Sequence, residues 1–586
     1  MAQQFDITID NKVVNVESSM SILVAAKKLG IHIPALCYHP DLHPTASCGI
    51  CVVDVEGRPQ PLRACCTPVS PGMVVFTNTL KLREYRKAIL KLLLSDHDVV
   101  CPTCPANEKC ELQRLASNMD IQTNDLNMVL DKKPLDETSD ILRRDNNKCV
   151  SCGRCITVCS EVQSVNALSF VRRGFKGSVE TAFEKGIGES PCVYCGQCTV
   201  YCPTGALFEK SDIENVWNEI FNKEKHVVIQ EAPAIRVSLA DEFGMKAGEL
   251  TTEKMYAALR AIGFDTIMDT NFAADLTIME EATELVEKLK AGSTKPLITS
   301  CSPGWVKFME TFYPDLLDCL SSAKSPMSMF GVMAKTYYAK EKNIDPKNIV
   351  SVAIMPCISK KFEAARPELN DSGYRDTDYV LTTREFIKMI KEVGIDFNTI
   401  EPISADAGMS AYSGAGTIFG TTGGVMEAAL RTGYYLITGK ELENVEITAV
   451  RGLKGVKETE VDVPGFGKLK VAVANGLSNA RKLMDKIRKQ LKETGKCDYH
   501  FIEVMACPGG CVGGGGQPKG NDLGKRVVRG AGLYEDDKKC KLRRSHENPE
   551  VKKMYDSYLG KPNGELAHKL LHTKHYKRSQ FDGKPV

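Results

Sequence analysis

Residues 500–516, HFIEVMACPGGCVGGGG, begin as a strand and end in a run of glycines. The opening HFIEVMA is mostly apolar and fits a short buried strand. Cys507 follows it directly, and Cys511 lies four residues further on. The run after Cys511 has too few side chains for packing and indicates a backbone lying close against something bulky. The stretch therefore predicts a strand that carries two thiols to a crowded site.

Two other apolar strands of the chain also run into cysteines. PLITS (296–300) ends at Cys301, and IVSVAIM (349–355) reaches Cys357 through Pro356. If the three strands are parallel neighbours, their ends converge, because ligands in parallel sheets bind beyond the carboxyl ends of strands. Four cysteines then meet over one crevice, enough to hold an iron–sulfur cubane. The alternative is a set of buried structural cysteines.

The sequence around these strands, from about residue 225, alternates between strands and helices. HVVIQ (226–230) and VAVANG (471–476) are further apolar strands. DLTIMEEATELVEKLKAG (275–292) and NARKLMDKIRKQLKETG (479–495) have the period of amphipathic helices. This alternation predicts an α/β catalytic domain with parallel sheets and helical cover.

The chain has 586 residues, a formal net charge of +2 and 23 cysteines. The balanced charge gives no electrostatic footprint for nucleic acid or an anionic membrane. The start, MAQQFDITID, lacks the features of a signal peptide, and no uncharged apolar run reaches the roughly 18 residues of a membrane span. We therefore expect a cytoplasmic protein. Sixteen of its cysteines precede position 203, and such clusters indicate metal or redox centres.

Two cysteine runs, CVSCGRCITVC (149–159) and CVYCGQCTVYCP (192–203), both have the spacing C-x2-C-x2-C-x3-C. This is the run of bacterial ferredoxins with two [4Fe–4S] clusters, in which the fourth cysteine of each run ligates the other cluster. The first predicted ligand set is Cys149, Cys152, Cys155 and Cys202. The second predicted ligand set is Cys192, Cys195, Cys198 and Cys159.

An earlier cluster contains Cys37, Cys48 and Cys51, followed by Cys65 or Cys66. Its first gap is longer than in plant-type [2Fe–2S] ferredoxins. The flanks FDITIDNKVVNVE and SILVAAKKLGI read as two strands around an Asp-Asn turn and a helix, which favours a small α+β ferredoxin-like domain.

The segment HDVVCPTCPANEKC provides four further potential ligands, His97, Cys101, Cys104 and Cys110. Three cysteines and a histidine form a legitimate zinc set. The position between two iron–sulfur modules favours a His-ligated [4Fe–4S] cluster. The expected domains are a [2Fe–2S] domain (1–80), a [4Fe–4S] module with one histidine and three cysteine ligands (81–120), a two-[4Fe–4S] domain (140–210) and a catalytic domain (220–586).

Three motifs carry a resemblance to the catalytic domain of [FeFe]-hydrogenases: TSCSPGW (299–305), MPCISKKFE (355–363) and EVMACPGGCVGGGG (503–516). The stretches FGTTGGVMEAALRTG and RRSHENP also fit this resemblance to [FeFe]-hydrogenases. The first 210 or so residues resemble the N-terminal modules of these hydrogenases and of the large iron–sulfur subunit of complex I. In that resemblance the fourth [2Fe–2S] ligand lies in an A-C-x-T-P context, which selects Cys65.

The resemblance implies an H-cluster, a [4Fe–4S] cubane joined through a cysteine sulfur to a diiron subcluster with CO, CN and a bridging dithiolate. It implies that Cys357, Cys507 and Cys511 ligate the cubane and that Cys511 bridges to the diiron unit. Lys360 is then expected to hydrogen-bond a cyanide. The residues expected around the diiron unit are Met355, Met505, Ala232 and Pro233, with Ala234 where many members carry a serine.

The motif TSCSPGW departs from the family pattern T-S-C-C-P-x-W. Read by position, Cys301 is the proton relay and Ser302 takes the place of the fourth cubane ligand. A neutral hydroxyl is a poor ligand for a soft iron–sulfur site. The alternative is a rearranged loop in which Cys301 ligates the cubane and Ser302 or water relays protons. We slightly favour the positional reading.

A proton path is expected along the helix over 275–292. Its apolar face is predicted to hold Ile278, Met279, Ala282, Leu285, Val286 and Leu289. Glu281, Glu284 and Lys288 form one stripe on its flank, which on its own usually means solvated surface. The resemblance implies a route from Cys301 through Glu281, Ser321 and Glu284 to the surface, with Lys288 replacing an arginine at the mouth.

The predicted function is reversible H2 oxidation and proton reduction, with electrons passed to ferredoxin and/or flavin-bearing NAD(P)-linked subunits. Maturation proteins are expected as further partners. The alternatives are a non-catalytic electron-transfer subunit like that of complex I and an H2-sensing homologue. No G-x-G-x-x-G run follows a strand and opens a helix, so we expect no NAD(H) site in this chain. The unassigned cysteines, expected to be free buried thiols, are Cys66, Cys319, Cys497 and Cys540.

Overall fold

The structure is a computed structural model that describes residues 3–122, 126 and 132–586. It divides into two compact units. The first comprises Met1–Ser160, Asn166–Ile187 and Tyr201–Phe208, and the second comprises Glu161–Val165, Gly188–Val200 and Glu209–Val586. Within the described ranges, no helix has the length and apolar character needed to cross a membrane.

The first unit opens with a five-stranded sheet in the order β2-β1-β5-β3-β4. Its strands are β1 Gln4–Ile9, β2 Lys12–Glu17, β3 Val52–Val55, β4 Leu62–Arg63 and β5 Val74–Phe76. Asp10 and Asn11 join β1 to β2 with φ angles of 46° and 65°, a left-handed turn that these residue types tolerate. The expected pair of strands around an Asp-Asn turn is therefore confirmed.

Apart from the 16-residue helix α2, the remaining elements of the first unit are short. The helices are α1 Ile22–Lys28, α2 Leu80–Ser95, α3 Glu111–Asn118 and α4 Arg154–Thr157. The strands are β6 Leu142–Arg144, β7 Ser169–Val171, β8 Ser178–Glu180 and β9 Leu207–Glu209, the last of which ends in the second unit. Three of these helices have side-chain caps: Ser21 accepts the Val24 N–H at the start of α1, Thr79 accepts the Leu82 N–H at the start of α2, and Cys110 Sγ accepts the Gln113 N–H at the start of α3.

The second unit contains two four-stranded sheets, in the orders β11-β10-β13-β14 and β12-β17-β16-β15. Their strands are β10 His226–Glu231, β11 Thr266–Asp269, β12 Leu297–Ile298, β13 Ile349–Met355, β14 Tyr379–Thr382, β15 Val456–Val463, β16 Gly467–Asn475 and β17 Phe501–Met505. All neighbours pair in parallel except β15 and β16, which form an antiparallel hairpin. The expected parallel sheets are present.

The three strands that precede cysteines do not form one sheet. β12 and β17 are parallel neighbours, but β13 pairs with β10 and β14 in the other sheet. The idea of three neighbouring strands is therefore wrong, because each of the two sheets supplies part of the crevice. Strand length and hydrophobicity carry no information about which sheet a strand joins.

Helices cover both sheets and fill the space between them. They are α5 Gln197–Tyr201, α6 Ile213–Phe221, α7 Thr252–Ile262, α8 Thr270–Lys290, α9 Pro303–Phe312, α10 Pro326–Met333, α11 Ala339–Lys342, α12 Ser359–Ala364, α13 Thr383–Val393, α14 Gly414–Thr417, α15 Gly424–Thr438, α16 Leu477–Thr494, α17 Leu523–Lys539, α18 Pro549–Met554 and α19 Glu565–Leu571. The expected apolar face of α8 is buried at Ile278, Ala282, Leu285 and Val286, and Met279 and Leu289 pack at its edges.

Candidate active site

A cavity of about 80 Å³ lies where β12, β13 and β17 end. Seven of its 20 lining residues carry sulfur. The predicted site residues that line it are Ala232, Pro233, Cys301, Ser302, Met355, Cys357, Lys360, Met505, Cys507 and Cys511. Segments far apart in sequence therefore converge as the strand-end argument expects, although they come from two sheets.

Several lining residues were missed by sequence reasoning. Thr270 opens α8, Met327 lies on α10, and Phe419 faces the cavity beside them. Phe419 begins the stretch FGTTGGVMEAALRTG, so its segment had been singled out without a role. Thr270 and Met327 have no local signal, because only the packing of α8 and α10 brings them to the wall.

Close backbone packing accounts for the glycines around Cys511. A Cβ on Gly510 would lie 2.6 Å from the Thr422 nitrogen, and one on Gly514 would lie 2.0 Å from the Pro356 carbonyl oxygen. Gly510 also has a φ of 90°, which favours glycine. The expected bulky neighbour is thus partly the backbone of other loops, which holds Cys511 against the loop of Cys357.

Burial keeps the cavity thiols protonated when no cation is bound. Desolvation, followed by the neighbouring Cys357, raises the pKa of Cys511 to about 12. Desolvation likewise raises the pKa of Cys507 and of Cys357. Thiolates are the form that binds metal, so this donor set requires a strongly cationic centre to release its protons.

Cys301 and Ser302 reach the cavity from the same turn but contact different neighbours. Cys301 packs beside Met505 and the apolar side chains of α8, and its pKa is raised by burial and then by the charge of Glu281. Ser302 Oγ instead accepts a hydrogen bond of 3.2 Å from the N–H of Ala506, next to Cys507. The thiol is thus influenced by the charge of Glu281, and the hydroxyl bonds the backbone beside Cys507.

Lys360 is held against the cavity wall by two oxygen atoms. Its Nζ donates to Ser325 Oγ at 2.7 Å and to Glu363 Oε2 at 2.6 Å. Ser328 also donates to Glu363, at 3.0 Å. An ammonium has three N–H donors, so these contacts leave one N–H for a ligand in the cavity.

A line of polar groups leads from the cavity to the surface along α8. Glu281 is fully buried, and neither of its carboxylate oxygens has a hydrogen-bond partner among the described residues. Desolvation and then Glu284 raise its pKa to about 8. Ser321 Oγ donates to Glu284 at 2.7 Å, and Lys288 lies 3.4 Å from the same carboxylate. These groups therefore lie one after another beside α8.

The C-terminal segment 571–578, which we call the strap, runs beside this line. His575 Nε2 donates to the Ser321 carbonyl oxygen at 2.9 Å, and the Thr573 N–H donates to Ser322 at 2.7 Å. His572 bonds Glu280, the neighbour of Glu281 on α8, at 2.9 Å. The strap therefore fixes the backbone on which Ser321 stands.

The second unit also contains the loop with Cys192, Cys195 and Cys198. Gln197 Nε2 donates to the Gly513 carbonyl at 2.9 Å, and Ser359 Oγ donates to the Tyr194 carbonyl at 2.8 Å. A Cβ on Gly515 would lie 2.3 Å from the Cys195 carbonyl oxygen. This cysteine loop therefore packs directly on the loops that build the cavity.

The other dicluster set lies in the first unit. Cys149, Cys152, Cys155 and Cys202 line one small cavity together, and these are the four residues that the spacing groups. Cys159 belongs to the first unit, whereas Cys192, Cys195 and Cys198 belong to the second. That set remains a prediction from spacing.

The predicted [2Fe–2S] residues are close together in the first unit. The Cys37 thiol contacts Cys48 and Cys65, and Cys51 also contacts Cys65. Cys66 is exposed and its thiol points at the Arg63 carbonyl, 3.6 Å away. The expectation of a buried thiol is wrong for Cys66, because it follows Cys65 on the outer side of the turn. Of the other unassigned cysteines, Cys319 and Cys497 are buried and Cys540 is half-buried.

The fourth accessory set is predicted to include His97, which is buried with an Nδ1 that has no hydrogen-bond partner among the described residues. Desolvation lowers its pKa, which keeps the imidazole neutral. Cys101, Cys104 and Cys110 are half-buried, and a Cβ on Gly205 would lie 2.5 Å from Cys104 Sγ. A neutral imidazole with an unpartnered nitrogen can serve as a metal ligand, and its grouping with the three cysteines remains a prediction from spacing. Throughout the described ranges, no group of three or more such side chains is closed around the position of a single ion.

Family models match nearly the whole length of the chain. Residues 225–515 match the C-terminal domain of the iron-only hydrogenase large subunit, and 524–578 match the iron hydrogenase small subunit. Residues 2–79 match a 2Fe–2S binding domain, 86–125 the NADH-ubiquinone oxidoreductase-G iron–sulfur binding region, and 148–206 a 4Fe–4S dicluster domain.

Two hydrogenases match over nearly the full length of the chain. The NADP-reducing hydrogenase subunit HndD of Solidesulfovibrio fructosivorans is 46% identical over 98% of this chain and 99% of its own length. Iron hydrogenase 1 of Clostridium pasteurianum is 44% identical over 96% of this chain and 98% of its own. At lower identity, the cytosolic iron-sulfur assembly component 3 of Rattus norvegicus is 30% identical over 66% of this chain and 83% of its own.

Among solved structures, the apo [FeFe]-hydrogenase HydA1 of Chlamydomonas reinhardtii superposes with a TM-score of 0.56 at 42% identity. The match covers 63% of this chain and 99% of that one. The matches at 44–46% identity span essentially the full lengths of both proteins compared, and the cavity motifs lie inside the matched catalytic domain. The chain therefore belongs to the iron-only hydrogenase family and is an iron hydrogenase, an oxidoreductase with N-terminal 2Fe–2S and 4Fe–4S domains.

Proposed function

We propose that this hydrogenase catalyses reversible H2 oxidation and proton reduction in the cavity at the ends of β12, β13 and β17. The observation that carries the proposal is the convergence of Cys357, Cys507 and Cys511 with Cys301 in one enclosed wall. Soft sulfur donors and a spare Lys360 N–H fit an H-cluster. When bound, that group supplies the iron site for cleaving or forming H2.

The cavity cysteines have distinct proposed roles. Cys357, Cys507 and Cys511 would hold the cubane, and Cys511 would also connect it to the diiron unit. Lys360 would donate its free N–H to a cyanide. Met355, Met505, Ala232 and Pro233 form the apolar wall that keeps water out. Ser302 stands where a fourth cysteine is usual, and its hydroxyl is already engaged by the Ala506 N–H.

Protons are proposed to leave or enter through a line of side chains that begins at Cys301. The Cys301 thiol holds a proton at Sγ and faces Glu281. The pKa of Glu281, about 8, lets this carboxyl exchange protons near neutral pH. Ser321, bonded to Glu284, passes the proton onward, and Lys288 lies 3.4 Å from Glu284 at the mouth.

Electrons are proposed to travel along one [2Fe–2S] and three accessory [4Fe–4S] clusters. The proposed ligands are Cys37, Cys48, Cys51 and Cys65 for the first; His97, Cys101, Cys104 and Cys110 for the second; and the two dicluster sets for the others. These clusters contain about 14 iron atoms and the H-cluster about six more. Iron analysis should find about 20 per chain, and stoichiometric zinc would contradict the His97 assignment.

The proposed electron partners are ferredoxin and/or a flavin-bearing, NAD(P)-linked subunit in the cytoplasm. The relative HndD is named as a subunit of an NADP-reducing hydrogenase, which supports a partner of that kind. Purification from the native cell should recover a flavin-containing subunit with this chain. Recovery of the chain alone, with full activity towards ferredoxin, would favour the ferredoxin-linked form.

Substitutions at the turn Cys301–Ser302 test the proposed function. In matured protein, Cys301→Ala should keep the iron and the infrared bands of metal-bound CO and CN, while turnover falls by ~10²–10⁴-fold. Loss of the cubane in Cys301→Ala would show that Cys301 is the ligand. If Cys301 is the proton relay, Ser302→Cys should preserve or raise activity. If Cys301 is the cubane ligand, Ser302→Cys should leave cluster occupancy unchanged.

The same measurements separate hydrogenase function from its alternatives. A non-catalytic electron-transfer protein would carry accessory clusters but show no CO or CN bands after maturation. An H2 sensor would show the bands with negligible turnover. H2 turnover without those bands would reject the H-cluster itself.

A further inference from the structure

A buried lysine stands beside the loop that carries Cys192. Lys307 lies on α9, five residues after Ser302, and is 2% exposed. Its Nζ donates a hydrogen bond of 2.7 Å to the Cys192 carbonyl oxygen. The same atom lies 3.7 Å from the centroid of the Tyr194 ring and 5.0 Å from that of Phe362. One side chain thus links the helix after the cavity turn to the cysteine loop.

The acidic group nearest to Lys307 along its helix already forms ion pairs with two arginines. Glu310, one turn along α9, pairs with Arg366 at 2.7 Å and with Arg578 at 2.6 Å. In the part of the chain that the structure describes, no carboxylate lies within ion-pair distance of Lys307. An ammonium buried without an opposite charge is strongly unfavourable.

Most other buried lysines of the second unit have such a partner. Lys324 pairs with Asp376 at 2.7 Å, and Lys335 pairs with Asp378 at 2.7 Å. Lys360 and Lys361 likewise pair with carboxylates. These side chains show that the unit ordinarily supplies a carboxylate wherever it buries an ammonium.

Lys457, which is also buried without an ion pair among the described residues, is compensated in another way. Its Nζ donates to the Gly452 carbonyl at 2.7 Å and to the Thr422 carbonyl at 3.2 Å. Lys307 has one such acceptor, and its other neighbours include two aromatic rings. The contrast indicates that the partner of Lys307 is not a side chain. Lys307 also lies close enough to the Cys192 thiol for the two charges to act on one another, and Cys192 is a proposed ligand of a negatively charged cluster.

We propose that Lys307 is a positioning residue that supplies the counter-charge to the [4Fe–4S] cluster bound through Cys192, Cys195 and Cys198 and raises its reduction potential. This rests on the proposed electron route. A cluster held by thiolates is anionic and gains one further negative charge on reduction. A nearby positive charge in a dry site stabilises the reduced form more than the oxidised form.

The location gives this charge a role in the reaction. The loop of Cys192 shares its packing with the cavity through Gln197–Gly513 and Ser359–Tyr194. A cluster in this loop is therefore the accessory centre whose protein shell is continuous with that of the cavity. Its potential decides how readily electrons pass between the cavity and the remaining clusters.

The test is an EPR-monitored redox titration of the full-length, cluster-loaded chain at one mildly acidic pH. The signal of this cluster is assigned by its loss or change in Cys195→Ser. Lys307→Met and Lys307→Gln should lower the equilibrium constant for its reduction by at least about tenfold, a shift of about 59 mV to more negative potential. Lys307→Arg, which keeps the charge, should stay within about threefold.

Lys482→Met is the matched control, because it removes the same formal charge from an exposed position on α16. Solvent screens that charge, so the potential should not move. Lys307→Gln keeps a hydrogen-bond donor. If Lys307→Met retains less iron, the reduction potential of Lys307→Gln is the one compared with that of the unchanged protein. An unchanged potential in Lys307→Gln overturns the proposal, as does loss of the cluster in Lys307→Arg. Absence of any signal sensitive to Cys195→Ser would instead reject the proposed electron route.

Discussion

The accessory cysteine sets and the cavity cysteines reach their sites in opposite ways. Cys149, Cys152 and Cys155 lie within seven residues of one another and line one cavity with Cys202. The cavity instead takes Cys357 from the end of one sheet and Cys507 from the end of another, 150 residues later. Cysteines in a local run are placed near one another by their spacing in the sequence. The cavity cysteines come together only when two sheets and several helices have packed.

The largest difference between the two kinds of cysteine should appear at Cys511. Cys511→Ala removes the proposed bridging sulfur, so H2 turnover and the infrared CO and CN bands should both be lost. Cys319→Ala is the matched control, because Cys319 is buried in the same unit but lies outside the cavity wall. It should retain activity within about twofold. Activity surviving in Cys511→Ala would break the distinction.

A smaller loss of H2 turnover is expected at Glu281, which lies on α8 and is not itself part of the cavity wall. Glu281→Gln keeps the shape but removes the transferable proton, so turnover should fall by at least ~10²-fold with cluster content intact. Its neighbour Glu280 is equally buried but bonds Tyr555 and His572. Glu280→Gln should lower the thermal midpoint with a much smaller loss of turnover per folded molecule. Equal kinetic losses in both variants would reject the path.

The same carboxyl predicts a pH dependence of stability. Burial raises the folded-state pKa of Glu281 from 4.5 to about 8. Between these values the unfolded chain binds fewer protons than the folded one, so this group makes stability fall as pH rises from about 4.5 to about 8. Glu281→Gln should therefore flatten the decline of the thermal midpoint over that range. An identical decline in both proteins would show that Glu281 is not held protonated.

The smallest effect on H2 turnover is expected at Cys65, one of the predicted [2Fe–2S] ligands. Cys65→Ser should remove the [2Fe–2S] signal and about two iron atoms per chain, while turnover with a small artificial dye stays near normal because the cavity is untouched. Cys66→Ser is the adjacent control, and its exposed thiol predicts no change in iron. Loss of the [2Fe–2S] signal in Cys66→Ser would reverse the assignment.

The contrast between local and assembled sets also explains which features were predictable from the sequence. Strand ends at Cys301, Cys357 and Cys507, and the helix that carries Glu281, follow from hydrophobic runs and helical period. The division of the strands between two sheets does not, because parallel strands of similar composition can pair in many orders. Phe419 and Met327 reached the cavity wall through helix packing that leaves no pattern in the local sequence.

The departure at Ser302 shows a further limit. Spacing identifies the turn but not which way two adjacent side chains point. The structure separates them through the Ala506 hydrogen bond to Ser302 and the nearness of Cys301 to Glu281. The first contact joins residues 204 positions apart, and the second joins the turn to a helix 20 residues earlier, so neither could be read from TSCSPGW itself.

The strap has a consequence for how the enzyme tolerates dilution. It lies within the stretch that matches the iron hydrogenase small subunit, yet it is covalently part of the chain it braces. A tethered segment has an effective concentration that does not depend on how much protein is present. The bonds from His575 to Ser321 and from His572 to Glu280 therefore form as part of folding. The alignment of the proposed proton route should be as complete in a nanomolar assay as in a crowded cell.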